Sequence, residues 1–282
     1  MKPFLKWAGG KRWLTPRLVN KLPQYNRYFE PFLGSGSLFF ALEPKEAVLS
    51  DSNHELINCY RQVRNHCKDV IEILKGLSVD KDTYYKVRDS LYLKADVIQK
   101  AAYFIYLNKT CWNGLYRVNA NGKFNVPCGS LRSNTLIFEE EHLIAVSKSL
   151  KHVKLVCCDF EESIKEVKGG DLIYFDPPYV TTHLKNGFIG YNSKLFSQLD
   201  EIRLAKLADG LRNKGALIII SNAAHPTIKQ LYSGYFNKAE IMRFSGIAAN
   251  PIRRAQFSEL LVTSFVLISK DVKENSKVSS PF

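Results

Sequence analysis

The chain has 282 residues, 45% of them hydrophobic and 24% charged, the composition of an ordinary globular protein. This excludes a disordered chain, a collagen-like repeat and a disulfide-stapled miniprotein, and the length suits one large domain or two smaller ones. The 40 Lys and Arg against 27 Asp and Glu leave a formal net charge of +13. Such an excess favours a polyanionic partner, either nucleic acid or an anionic membrane surface.

The six cysteines, Cys59, Cys67, Cys111, Cys128, Cys157 and Cys158, include no C-x-x-C pair. The six histidines form no H-E-x-x-H or H-x-x-H pair. Metal binding therefore has little support, so no metal is expected. Scattered thiols in apolar contexts suit the reduced core of a cytoplasmic protein. Met1 to Lys6 has no apolar run after its charges, so no signal peptide is expected. No apolar stretch, Ala216 to Ile220 included, is long enough to span a membrane.

Along the chain, Gly9-Gly10-Lys11-Arg12 comes first. It lacks the upstream Gly and the Ser or Thr of a P-loop, and no strand precedes it, so it reads locally as an exposed basic turn. Tyr28 to Leu33 is a first strand. Pro31-Phe32-Leu33-Gly34-Ser35-Gly36-Ser37 then forms a tight turn before a helix starting near Leu38. Glycines there allow close backbone approach, and the helix start can face a polar ligand. A second strand, Glu46 to Ser50, is closed by Asp51, placed to accept hydrogen bonds from ribose hydroxyls. Phe39 stands where a dinucleotide fingerprint has its third Gly, so a mononucleoside cofactor fits better.

The rhythm changes from about residue 55 to 151. Val70 to Leu77 and Asp82 to Leu107 read as helices, and Asn108 to Asn134 is a turn-rich segment. Short strand-like runs then return at Lys154 to Cys158, Leu172 to Phe175, Ala216 to Ser221, Asn237 to Phe244 and Leu260 to Ser269. Leu172 to Phe175 is apolar throughout, as in a strand covered on both faces. Alternating strands and helices predict an α/β sheet. Residues 1–54 and 152–270 are expected to form one discontinuous catalytic domain. Residues 55–151 form a helical insertion with a polar loop at 108–134, and residues 271–282 a frayed tail.

Asp176-Pro177-Pro178-Tyr179 follows the most apolar strand, where ligands bind in open α/β sheets. The two prolines make a stiff, extended arm. It presents the Asp176 carboxylate and the Pro177 carbonyl as two acceptors, with Tyr179 as a stacking face. Two acceptors and a ring match a planar ring carrying an exocyclic amino group.

Taken together, these segments resemble the Dam-type family of DNA adenine N6-methyltransferases. Phe4 to Lys11, the Gly34/Gly36 turn with Asp51, Asn113 to Arg117 with Phe124 to Pro127, and Asp176 to Tyr179 occur in the family's order. Glu259 to Val262, after an Arg-containing loop, also fits, and the likeness spans about residues 1–270. It implies a seven-stranded Rossmann-like methyltransferase sheet with helices on both faces, plus the mainly helical insertion as a DNA-recognition unit.

The resemblance also implies S-adenosylmethionine as methyl donor. Trp7, Lys11, Asp51 and Asp176 are then expected to line the donor site, with Phe32, Gly34 and Gly36 bordering it and Asp159 and Phe160 flanking its adenine. The implied reaction is extrusion of an adenine from duplex DNA followed by direct transfer. The target amine is held by Asp176 and Pro177 and stacked on Tyr179.

Within the insertion loop, Asn108 to Arg132 carries Lys109, Arg117, Lys123 and Arg132, the rings Trp112, Tyr116 and Phe124, and five Asn including Asn108 and Asn119. Arg can read guanine and Asn adenine in the major groove, and rings can wedge into the base stack. Arg117 is expected at a guanine, and Trp112 and Asn113 near the target step. Lys6, Asn119, Pro127, Arg253 and Arg254 are further candidate DNA contacts. A short palindrome such as GATC is the expected target of a monomeric enzyme acting on double-stranded DNA. The rivals are methylation of an RNA base or a protein glutamine amide, and a DNA-binding protein without activity.

Overall fold

The structure, a computed structural model, describes residues 1–131, 135–179, 196–234, 236–244 and 256–268. After a single helical turn, α1 (Thr15–Leu18), the chain enters β1 (Tyr28–Glu30), which stops where Pro31 follows. The glycine turn leads into α2 (Ser37–Leu42) and then β2 (Ala47–Asp51). Asn53 caps α3 (His54–Asn65) by accepting from the Leu56 amide. Leu56, Ile57, Tyr60 and Val63 make its buried stripe.

α4 (Cys67–Lys75) follows closely. The expected single helix from Asp82 to Leu107 is broken. α5 (Lys81–Lys86) runs through a π-turn at Val87–Leu91 into α6 (Tyr92–Lys94), and α7 (Val97–Thr110) starts afresh. The cause is local. Asp96 is extended and accepts from the Ile98 and Gln99 amides, while the Gln99 side chain returns to the Asp96 amide. That capping box satisfies the first amides of a new helix better than continuation would.

α8 (Glu140–Ser149), β3 (Val153–Cys157), α9 (Phe160–Ser163) and β4 (Leu172–Phe175) come next. The chain then continues through α10 (Gln198–Asn213), β5 (Leu217–Ala223), α11 (Pro226–Leu231), β6 (Asn237–Phe244) and β7 (Gln256–Thr263). The last strand begins and ends earlier than expected, because its register is set by pairing Gln256 with Phe244 and Thr263 with Asn237.

The seven strands form one sheet in the order β3-β2-β1-β4-β5-β7-β6. β3 through β5 are parallel, and β7 runs antiparallel between β5 and β6. The expected α/β sheet with both faces covered is what the chain adopts. Tyr28, Leu49, Tyr174 and Ile219 enter one core with α3, α4 and α7. Phe29, Val48, Ile173, Phe175, Ile218 and Ile220 enter the other with α9, α10 and α11. The order reverses between β1 and β4, so a crevice opens beyond their carboxyl ends.

Candidate active site

Alternation of side chains along a strand decides which polar groups meet in that crevice. Phe29, Phe175, Ile220 and Leu260 face the second core. Their neighbours Glu30, Asp176, Ser221 and Glu259 therefore face the first, as does Asp51, two residues beyond Leu49. Five strands thus deliver polar side chains to one side of the sheet.

Lys11 enters from the amino-terminal segment. It is not the exposed basic turn that its local sequence suggests, for it is only 3% exposed. Its Nζ lies 2.7 Å from Asp176 Oδ1 and 3.8 Å from Glu259 Oε2, and donates to the Gly9 carbonyl at 2.9 Å. It also sits 4.7 Å from the centre of the Tyr179 ring. Burial alone would lower the ammonium's pKa, but the carboxylates of Asp176 and Glu259 outweigh it and hold Lys11 charged. Pro177 is buried, and the Ser221 hydroxyl donates to Asp176 Oδ1 at 2.8 Å.

Behind Asp176 lies a second acid. Glu30 is 2% exposed and accepts from the Tyr28 hydroxyl at 2.8 Å. Burial pushes its carboxyl up to about 8, against the pull of the Tyr28 hydrogen bond, and nearby Asp176 raises it further.

The glycine turn is held from both sides. Gly34 has φ +47°, and a Cβ there would lie 2.7 Å from Trp7 Cδ1. Its amide donates to Asp51 Oδ2 at 3.1 Å, its carbonyl accepts from the Tyr60 hydroxyl at 3.1 Å, and Asp51 Oδ1 accepts from the Asn53 amide at 2.9 Å. Gly36, at φ +65°, starts α2 in the left-handed conformation. Burial raises the pKa of Asp51 against these backbone donors. Phe32 stacks on Phe160 at 5.3 Å, within the second core. Asp159 caps α9 by accepting from the Glu161 amide and pairs with Arg203 at 2.8 Å. Its carboxylate is thus engaged with protein, and the Phe160 ring is buried on the side of the sheet away from Asp176 and Glu259.

Trp7 joins this turn to the insertion. It stacks on Tyr116 at 5.5 Å, and Tyr116 meets Phe124 at 5.8 Å. Asn108, counted among the polar loop residues, is instead 4% exposed. Its side chain, on the last turn of α7, accepts from the Lys6 amide at 2.8 Å and donates to the Lys6 carbonyl at 2.7 Å, pinning the amino-terminal segment to that helix.

Beyond that staple, Trp112 is 48% exposed, and Asn113 is exposed with φ +54°. Lys6 is exposed and packs beside Gly114. Arg117 is tied to Asn125 through Nε at 2.8 Å. The Asn119 side-chain Oδ1 accepts from the Asn121 and Lys123 amides and so shapes the turn. The Pro127 carbonyl accepts from the Trp112 amide. Arg132, Arg253 and Arg254 lie outside the described residues. Next to the loop is a cavity of about 230 Å³ whose lining includes Lys2, Arg12, Lys109 and His142. Burial, with Lys6 and Arg12 nearby, lowers the Lys109 pKa to about 8.

The model of the D12 class N6 adenine-specific DNA methyltransferases covers residues 7–247. The chain belongs to this family. It is 37% identical over 275 residues to the Type II methyltransferase M1.LlaDCHI of Lactococcus lactis subsp. cremoris, covering 94% of this chain and 96% of that one. The DNA adenine methylase of Haemophilus influenzae is 31% identical over 268 residues, covering 92% of each chain. That of Escherichia coli K12 is 30% identical over 268 residues, covering 92% of this chain and 94% of the other. The chain is accordingly an adenine-specific DNA methyltransferase.

Three residues of this D12-class site had no role assigned from sequence. Glu30, Ser221 and Glu259 lie on three strands and meet only through the sheet. One signal was available for Ser221. It ends the expected strand Ala216 to Ser221, and ligand-facing groups collect at such strand ends, although β5 itself runs on to Ala223.

Proposed function

We propose that this methyltransferase moves a methyl group from S-adenosylmethionine to N6 of an adenine flipped out of a short duplex target, with GATC the expected sequence. The observation that carries the proposal is the Asp176 carboxylate, held 2.7 Å from a buried lysine at the end of the central strand. An acceptor fixed in this way needs little reorganisation to hold an exocyclic amine. The donor fits the residues present. Asp51, Asp176 and Glu259 share one face with Lys11 among them, a set that suits a cationic sulfonium and ammonium. The Gly34 turn and Asp51 offer the nucleoside end a backbone edge and a carboxylate.

When bound, the donor supplies an electrophilic methyl group. The protein's own work is positioning. Asp176 and the Pro177 carbonyl hold the two amine hydrogens and direct the nitrogen lone pair, while Tyr179 supports the ring. Transfer would form the N6–CH3 bond as the donor's S–CH3 bond breaks, with S-adenosylhomocysteine as the leaving group, and N6 would lose one proton toward the Asp176 side or solvent.

Residues 1–54 and 152–270 carry this chemistry, and 55–151 read the duplex, in a single chain. Trp112 and Asn113 stand exposed for the target step and Lys6 beside them, with Arg117 for a guanine. The recess around Arg12 and Lys109 suits backbone phosphate.

Labelled S-adenosylmethionine offered with GATC duplex, a scrambled duplex, RNA and protein tests the proposal, with products digested to nucleosides or amino acids. Label in N6-methyladenine from the GATC duplex alone is expected. No adenine label in any duplex would sink it, and label in RNA or glutamine would establish a rival.

A further inference from the structure

The site contains a hydroxyl whose place follows from strand register. β4 and β5 are parallel, with Phe175 opposite Ile220. One step further along each strand, Asp176 and Ser221 are neighbours on the same face. Ser221 is 1% exposed, so its hydroxyl has no water to turn to. It donates to Asp176 Oδ1 at 2.8 Å, and Lys11 reaches the same oxygen at 2.7 Å. Among the described residues, no hydrogen bond or ion pair is made to Oδ2. A carboxylate oxygen has about two lone-pair sites. Two donors therefore fill Oδ1 and leave Oδ2 as the oxygen with room for an incoming N–H.

We propose that Ser221 is a positioning residue for methyl transfer. Together with Lys11 it locks the Asp176 carboxylate so that Oδ2 meets the target amine. This rests on Asp176 being the amine acceptor. Lys11 alone is a single donor, and it also faces Glu259 and the Gly9 carbonyl. One bond leaves the carboxylate free to rotate about its Cβ–Cγ axis. A second donor, rooted in the rigid strand β5, removes that freedom. Because Ser221 is buried and spends its hydroxyl on Asp176, its loss should appear in the rate of the bound complex and not in binding.

The test compares Ser221→Ala and Ser221→Thr with wild type, with Asp176→Ala as the control. Single-turnover methylation of duplex DNA gives the rate. Calorimetric titration with S-adenosylmethionine, DNA titration and thermal melting give the binding and stability readouts. We expect Ser221→Ala to lower the single-turnover rate by between about tenfold and a hundredfold. Both dissociation constants should stay within about twofold of wild type, and Ser221→Thr should recover most of the rate because its hydroxyl is retained.

A wild-type rate in Ser221→Ala overturns the proposal. So does a rate loss that tracks the melting temperature or either dissociation constant, and so does Ser221→Thr performing no better than Ser221→Ala. Full activity in Asp176→Ala would instead bring down the acceptor role itself. An inactive Asp176→Ala beside a fully active Ser221→Ala would refute Ser221 alone.

Discussion

Replacing Lys11 by Met tests the electrostatic centre of the fold. Lys11 is 3% exposed and stands between Asp176 and Glu259, themselves largely buried. Methionine has similar length and packs well, so the change removes a charge without opening a large hole. What it leaves is two buried carboxylates without their shared cation. Breaking a buried pair by removing one partner costs about 3–5 kcal/mol. In a protein of this size each kcal/mol moves the melting temperature by roughly 2–4 °C, so a fall on the order of 10 °C is expected.

Glu259→Gln removes one of the two acids. In the Lys11→Met background it should give back part of the loss, with a coupling of about 1–3 kcal/mol between the positions. Calorimetric melting of the wild type, both single variants and the double variant closes the cycle. A Lys11→Met variant within about 1 kcal/mol of wild type, or strictly additive changes, would refute the shared-cation account.

Other perturbations address separate parts of the site. Glu30 keeps its proton up to about pH 8 in the folded state, whereas its ordinary value is 4.5, so its contribution to stability declines as pH rises between those values. Glu30→Gln should therefore gain on wild type by more than about 1 kcal/mol across that window, and parallel pH–stability curves would contradict it. Lys109 has the opposite sign. Its folded value of about 8 lies below the ordinary 10.5, so its penalty is complete below pH 8 and relieved as pH rises through that window. Lys109→Met should raise the melting temperature at pH 7, with an advantage that shrinks toward pH 10, while weakening duplex binding; no stabilisation at pH 7 would contradict it. Gly34→Ala adds about 1–2 kcal/mol of left-handed strain and drives a Cβ to 2.7 Å from Trp7. Calorimetric titration should find weaker donor binding and Trp7 fluorescence should shift, whereas unchanged values would contradict the close approach.

How much was legible in the sequence depended on how local the cause was. Leu172 to Phe175 was readable to the residue, because a strand buried on both faces has no polar position to blur its ends. The glycine turn and Asp51 were readable because a tight strand-to-helix turn needs left-handed glycines. The break at Asp96 was missed although its capping box is written in the sequence, because the apolar pattern continues across it. From its local sequence alone Lys11 read as an exposed turn, and only the family resemblance put it in the site, because its two carboxylates come from strands far along the chain. Asn108 read as a loop residue for the same reason, since its partner is the backbone of Lys6. Ser221 and Glu259 became visible only when register put them beside Asp176 and Lys11. Properties fixed by neighbours in sequence could be read, while those fixed across the sheet had to await the fold.

The +13 charge takes a more specific form on this fold. Lys2, Arg12 and Lys109 line a recess that also holds Glu139, while Glu30, Asp51, Asp176 and Glu259 gather beyond the strands. Basic side chains held apart from the acids suit a protein that grips a polyanion.

The central claim is that Asp176 carries the transfer and does not hold the duplex. The most direct test is single-turnover formation of N6-methyladenine by Asp176→Ala, with duplex and S-adenosylmethionine saturating and bound duplex measured in the same samples. The account predicts that methylation falls by at least about a thousandfold while duplex remains bound. Wild-type methylation in Asp176→Ala would contradict it.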